Sequence, residues 1–131
     1  QSRLIMLSMV PPDQITPTLA QVAVSLILID DHHLSYRYSL PNKFFESVAA
    51  GVPIISSAIP EVASMVERYG LGRVIDDPND PQTIAEAVLN TIEPQENQRL
   101  RANVAQARQE LNWAAEEMKL ITLYKRLLAG E

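Results

Sequence analysis

The chain has 131 residues, 47% of them hydrophobic and 21% charged, which is the balance of a globular domain with enough apolar mass for one core. A formal charge of −5 argues against a general nucleic-acid surface, and no apolar run approaches the ~20 residues that a membrane-spanning helix needs. There is no cysteine, which excludes disulfides and cysteine metal sites and fits a reducing, cytoplasmic setting. The sequence opens on Gln1 and runs almost at once into Leu4-Ile5-Met6-Leu7, so a piece of a longer polypeptide is expected.

Taken in order, Leu4 to Val10 is an apolar run ended by Pro11-Pro12-Asp13 and predicts a buried strand. Ile15 to Val22, with Leu19 and Val22 at helical spacing and Pro17 in a first turn, predicts a short helix. Val22 to Ile29 is nearly all apolar without alternation, the pattern of a parallel strand covered on both faces. Asp30 to Leu40 is polar and aromatic and predicts a loop at that strand's carboxyl end. Pro41 then opens a helix to Ala50, because its fixed φ suits a first turn and its missing N–H would be unpaired anyway. Gly51 closes this helix where the backbone turns left-handed, and Val52 to Ser56 follows as a buried strand.

Pro60 to Glu67 predicts a further helix with Val62, Met65 and Val66 inward; Gly70 and Gly72 bracket its end, and Leu71 to Ile75 is the next strand. Asp80 is a good N-cap and Pro81 a good first residue for a helix that aligns Ile84, Val88 and Ile92. Pro94 stops it. A charged helix from about Gln95 carries the stripe Leu100, Val104, Ala107 and Leu111. Asn112 caps a last helix with Leu120, Leu123, Tyr124 and Leu127 inward, and Trp113 packs where the two final helices meet. The alternation of strands and helices implies a doubly wound α/β domain with a parallel, Rossmann-like sheet. It is read as a partial domain of about four strands, with residues 95–131 as its C-terminal helices.

In such sheets ligands sit outside the carboxyl ends of the strands, against helix N-termini. Three loops occupy that edge: Asp30–Leu40, Ser57–Pro60 and Asp76–Asp80. The longest leads into the helix opened by Pro41. There, Asn42 and Lys43 stand among free backbone N–H groups at a positive dipole end that favours an anion. Glu46 lies about one turn further in, on the same side by i,i+3/i+4 spacing. A phosphate site with a carboxylate one turn away suits a ligand that has both phosphate and hydroxyls.

Plainer readings stand beside these. Glu46 alone would be a solvated helix glutamate, and Lys43 a surface charge. Asp30-Asp31-His32-His33 has metal-binding composition, yet adjacent residues rarely point together, so a plain loop is expected. Tyr36, Arg37 and Tyr38 are candidates for stacking on a base or for anchoring the loop. Glu61 is explained by a helix N-terminus. Ser56 and Ser57 lack a partnered histidine and a Gly-x-Ser-x-Gly context, which disfavours a hydrolase.

The run SLPNKFFESVAAGVPIISSAIPEVASMV, followed by GLGRVIDDPNDPQTIAEAV, resembles the carboxyl-terminal, donor-binding half of GT-B-fold, retaining, family-4-like (group 1) glycosyltransferases. The resemblance extends back through LSMVPPDQITPTLAQVAVSLILI and forward to the helix with Trp113. It implies that Glu46 holds the ribose hydroxyls of a nucleotide-diphosphate sugar, with the backbone around Asn42 and Lys43 approaching the diphosphate. An earlier family glutamate, eight positions before Glu46, contacts the donor sugar; here that position is Tyr38, which with Ser39 is a candidate either for the sugar side or for anchoring the loop. The departure leaves the sugar contact, and hence the donor, open.

The family plan also has two initial strands with a basic pair on the diphosphate, and an amino-terminal acceptor domain. None of these is matched in this sequence. In the strand order 3-2-1-4-5-6 the run Leu4–Val10 would be an outer strand, so self-association or direct pairing of Leu4–Met9 with Val22–Ile29 is expected. The resemblance implies no tightly bound metal and no other cofactor. It implies a glycan or lipid-linked sugar acceptor, cell-envelope polysaccharide synthesis, and a cytoplasmic place with peripheral contact at the inner membrane face. A nucleotide-sugar 2-epimerase and a non-catalytic nucleotide-binding or assembly module stand as alternatives.

Overall fold

Side chains that alternate along three short strands bury one row on each face of a small sheet, and helices cover both rows. The structure, a computed structural model, describes residues 3–30 and 32–130. Among them β1 (Ser25–Ile27), β2 (Ile54–Ser57) and β3 (Gly72–Ile75) form one sheet in the order β1-β2-β3. Both pairings are parallel, with Leu26 beside Ile55 and Ile55 beside Arg73. Ile27 and Ile54 belong to the main core, with Val74 packed against it and Phe44, Val48, Val62, Val66 and Val104 buried from the helix side. Ile55 and Ile75 face the other way onto Ala87, with Val24, Leu28, Ile84 and Val88 around them. The fold is therefore α/β with a parallel Rossmann-like sheet covered on both faces, as the apolar runs predict.

The helices are α1 (Pro12–Leu19), α2 (Leu34–Arg37), α3 (Asn42–Ala50), α4 (Pro60–Tyr69), α5 (Pro81–Ile92), α6 (Pro94–Ala107) and α7 (Trp113–Ala129). Their ends follow local chemistry. Asp80 accepts from the amides of Gln82 and Thr83 and from the Thr83 hydroxyl, and these bonds hold its carboxyl below the usual aspartate range. Asn112 Oδ1 accepts from the Ala115 amide to start α7. Gly51 and Gly70 close α3 and α4 with φ of 74° and 62°. Pro41 is the N-cap of α3 rather than its first residue, so the helix begins one position later than predicted. Pro94 does more than stop α5: it is the first residue of α6, whose N-cap Glu93 accepts from the Glu96 amide. Pro12, not Ile15, opens α1, and Pro17 lies inside it.

A polar clamp ties α6 to the sheet. The Arg101 guanidinium donates to the carbonyls of Gly51 at 3.0 Å and Val22 at 2.6 Å, and to Asn97 Oδ1 at 3.0 Å. Asn97 Nδ2 in turn donates to the carbonyls of Ala23 and Thr91. These bonds fix the chain as it enters β1 and leaves α3.

Four expectations are corrected. Leu4–Val10 is not a strand and is not buried: Ile5, Met6 and Met9 are 78%, 83% and 96% exposed. The sheet has three strands among the described residues, not four, and Leu4–Met9 does not pair with β1. An apolar run of this kind becomes a strand only within a ladder, and the sheet of the described residues, β1-β2-β3, does not include it. Asp30–Leu40 is not wholly loop, since it contains α2. The last helix does not turn Leu120, Leu123, Tyr124 and Leu127 inward: α7 has no buried residue, and Trp113 is 70% exposed rather than packed. Periodicity makes a helix face apolar, but what covers that face lies elsewhere in space.

Gly72 is set by a close approach. A Cβ built there would stand 1.8 Å from the Ile54 carbonyl oxygen, within the β2–β3 pair. Gly72→Ala must therefore separate the two strands, and is expected to lower the unfolding free energy by about 3 kcal/mol or more in urea titration. A midpoint equal to the wild type would contradict this account of the sheet.

Candidate functional site

Helix α3 is oriented by its apolar side. Phe44 and Val48 are fully buried against the sheet, and Ser47 beside them is also fully buried. At 3.6 residues per turn this leaves Asn42, Lys43 and Glu46 within an arc of ~100° on the free side of the helix. Lys43 and Glu46 line one groove together with Ser47, Ser25, Leu26 and the α1 residues Ile15, Thr18 and Leu19. The groove has a volume of about 530 Å³. Asn42 is exposed at the helix start and does not line it.

The first turn of α3 is open. Pro41 supplies no side-chain cap, and the backbone N–H groups of Asn42 and Lys43 take no hydrogen bond among the described residues. The half-buried Glu46 carboxylate and the exposed Lys43 ammonium also have no partner among the described residues. Two donors, a cation and a carboxylate thus stand uncommitted on one turn and a half of helix.

Tyr38 and Ser39 lie in the link between α2 and α3. Tyr38 ends α2 and is 67% exposed. The Ser39 hydroxyl donates to the Tyr36 carbonyl at 2.8 Å, so its proton is engaged in the local turn. Neither residue lines the groove with Glu46. In the acidic loop, His32 Nε2 stands 3.0 Å from Asp30 Oδ2, while the His33 ring packs edge-on against Tyr36. Asp31 lies outside the described residues, among which no group of three or more metal-ligating side chains comes together.

The three loops at the carboxyl edge of the sheet do meet. Ile29 and Asp30, Ser57 to Ile59, and Asp76, Pro78 and Asn79 enclose a crevice of about 110 Å³. Ser57 builds this edge, a role that the sequence reading missed. Its hydroxyl donates to the Ile29 carbonyl at 2.7 Å and accepts from the Ile29 amide at 3.0 Å. A side chain thereby continues the β1–β2 ladder two residues past Ile27. The only sequence signal was a pair of serines, Ser56 and Ser57, after the apolar run Val52 to Ile55. The crevice and the Glu46 groove share no lining residue.

The fold and the open α3 turn define a Rossmann-like α/β domain with a helix start free to meet an anion. The sequence profile of the family described as "Glycosyl transferases group 1" matches residues 1–94 of the 131, and the chain belongs to that family. No curated protein and no solved structure was found to match it. Among the described residues no helix is long and apolar enough to cross a membrane.

Replacing Ser57 by alanine strands both backbone groups of Ile29 at a part-buried site. Ser57→Ala is expected to cost about 1–3 kcal/mol in urea unfolding, with faster amide exchange at Ile29. Unchanged exchange at Ile29 would mean that the hydroxyl does not hold this edge.

Proposed function

We propose that this chain is the donor-binding part of a glycosyltransferase that moves a sugar from a nucleotide-diphosphate sugar to an acceptor, with retention at the anomeric carbon. Glycosyl transfer follows from the family. The finer reading is supported by one observation: Lys43 and Glu46 share a groove, unpartnered among the described residues, beside the two open amides of α3. Glu46 accepts hydrogen bonds from the ribose hydroxyls, while the amides of Asn42 and Lys43, with the Lys43 ammonium, meet the diphosphate. Tyr38 and Ser39 stand on the sugar side. The acceptor, a glycan or lipid-linked sugar, is held by a separate domain, and the reaction needs no tightly bound metal.

Transfer breaks the bond from the anomeric carbon to the diphosphate, so negative charge grows on the leaving oxygen. Preorganised donors aimed at that oxygen lower the barrier. A helix N-terminus contributes ~0.3–1 kcal/mol to an exposed anion and about 2 when partly buried. Enzymatic rate enhancements start near 8 kcal/mol, so α3 supplies a minor share and groups outside it the rest. Glu46 binds and does no covalent chemistry.

In the full-length protein, Glu46→Ala should weaken nucleoside diphosphate binding at least ten-fold by calorimetry, the loss of roughly one charge-assisted hydrogen bond or more. Equal affinity in the two proteins would overturn the assignment. Incubation with labelled donor and acceptor separates transfer from 2-epimerisation, and binding without turnover would point to a non-catalytic module.

A further inference from the structure

If Glu46 holds the ribose, something must aim it. Its carboxylate makes no hydrogen bond among the described residues, so its direction is set by the helix that carries it. Phe44 and Val48 press α3 onto the core, but apolar contacts are non-directional and tolerate small rotations about the helix axis. The next residue, Ser47, is fully buried, and its Oγ shares a 2.8 Å hydrogen bond with Ser25 Oγ on β1. Among the described residues no other side-chain hydrogen bond joins α3 to the sheet. Ser25 is itself fixed, since its amide donates to the Pro53 carbonyl at 2.9 Å in the lead-in to β2.

Ser47 Oγ also lies 2.7 Å from the Lys43 carbonyl, one turn back. A bond of this kind, from a serine to the carbonyl four residues earlier, satisfies the hydroxyl by itself and bends the helix slightly. The contact to Ser25 is therefore additional to what burial of the hydroxyl requires. It couples three things: the edge strand, the rotation of α3, and the turn bearing Lys43. Ser25, Lys43, Glu46 and Ser47 all line the same groove.

We propose that Ser25 and Ser47 are positioning residues that hold Glu46 in register with the ribose of a bound ribonucleoside diphosphate. The inference rests on the ribose role of Glu46. In the full-length protein, UDP, GDP and ADP are titrated, and the one that binds is compared with its 2′,3′-dideoxy analogue. Ser25→Ala and Ser47→Ala should each weaken the ribonucleotide about 3–10-fold, the factor of one net hydrogen bond, while the dideoxy analogue is unchanged. Ser25→Thr should restore the ribonucleotide affinity. A general structural effect would weaken both ligands alike, and that result, or no effect on either, overturns the proposal. If Glu46→Ala abolishes the preference for ribose while the serine variants keep it, the positioning role fails and the ribose role stands. If Glu46→Ala keeps the preference, or none of the nucleotides binds, the underlying reading itself fails.

Discussion

The proposed donor site depends on how α3 is seated. Phe44 and Val48 are buried without residual exposure against Ile27 and Ile54, and truncation of a buried aromatic of this kind costs about 3–5 kcal/mol. The seating decides which side of the helix is left over. Because Phe44, Ser47 and Val48 take the inward arc, Lys43 and Glu46 fall on the groove. Gly51 at one end and Pro41 at the other set the length, so the open amides come at the carboxyl edge of the sheet. Packing therefore leaves Lys43 and Glu46 on the groove side, while the buried Ser47 joins α3 to β1 through Ser25.

The same economy appears at the sheet edge. β1 has only three residues in the ladder, yet its backbone is secured beyond both ends. Ser57 holds Ile29 on the carboxyl side, and Arg101 with Asn97 holds Val22 and Ala23 on the amino side. Each of these bonds satisfies a backbone group that lies outside the three-residue ladder. The edge strand is thus hydrogen-bonded to its neighbours where its carboxyl end meets the loop at Asp30 and where its first residue meets Ser47. Its other edge has no strand beside it among the described residues.

Much of this was legible in the sequence, for identifiable reasons. Helix starts at Pro60, Pro81 and Asn112 and helix ends at Gly51 and Gly70 are written in backbone chemistry that acts over three or four residues, and they fall where expected. The parallel sheet followed from apolar runs without alternation. Errors arose where the outcome depends on a distant neighbour. Leu4–Val10 has the composition of a strand but is not part of the sheet among the described residues. The apolar face of α7 and Trp113 have the spacing of a packed helix and little to pack on. At the site, local spacing was enough to put Lys43 and Glu46 on one side of α3. The hydroxyl bonds from Ser25 to Ser47 and from Ser57 to Ile29 span 22 and 28 residues, and no local pattern announces them.

The most direct measurement is a crystal structure of the intact protein with a nucleoside diphosphate bound. A Glu46 carboxylate oxygen is expected about 3 Å from the ribose hydroxyls, with the diphosphate on the amides of Asn42 and Lys43. A nucleotide seated elsewhere, for example in the crevice between Ile29 and Asp76 with no contact to Glu46, would contradict it.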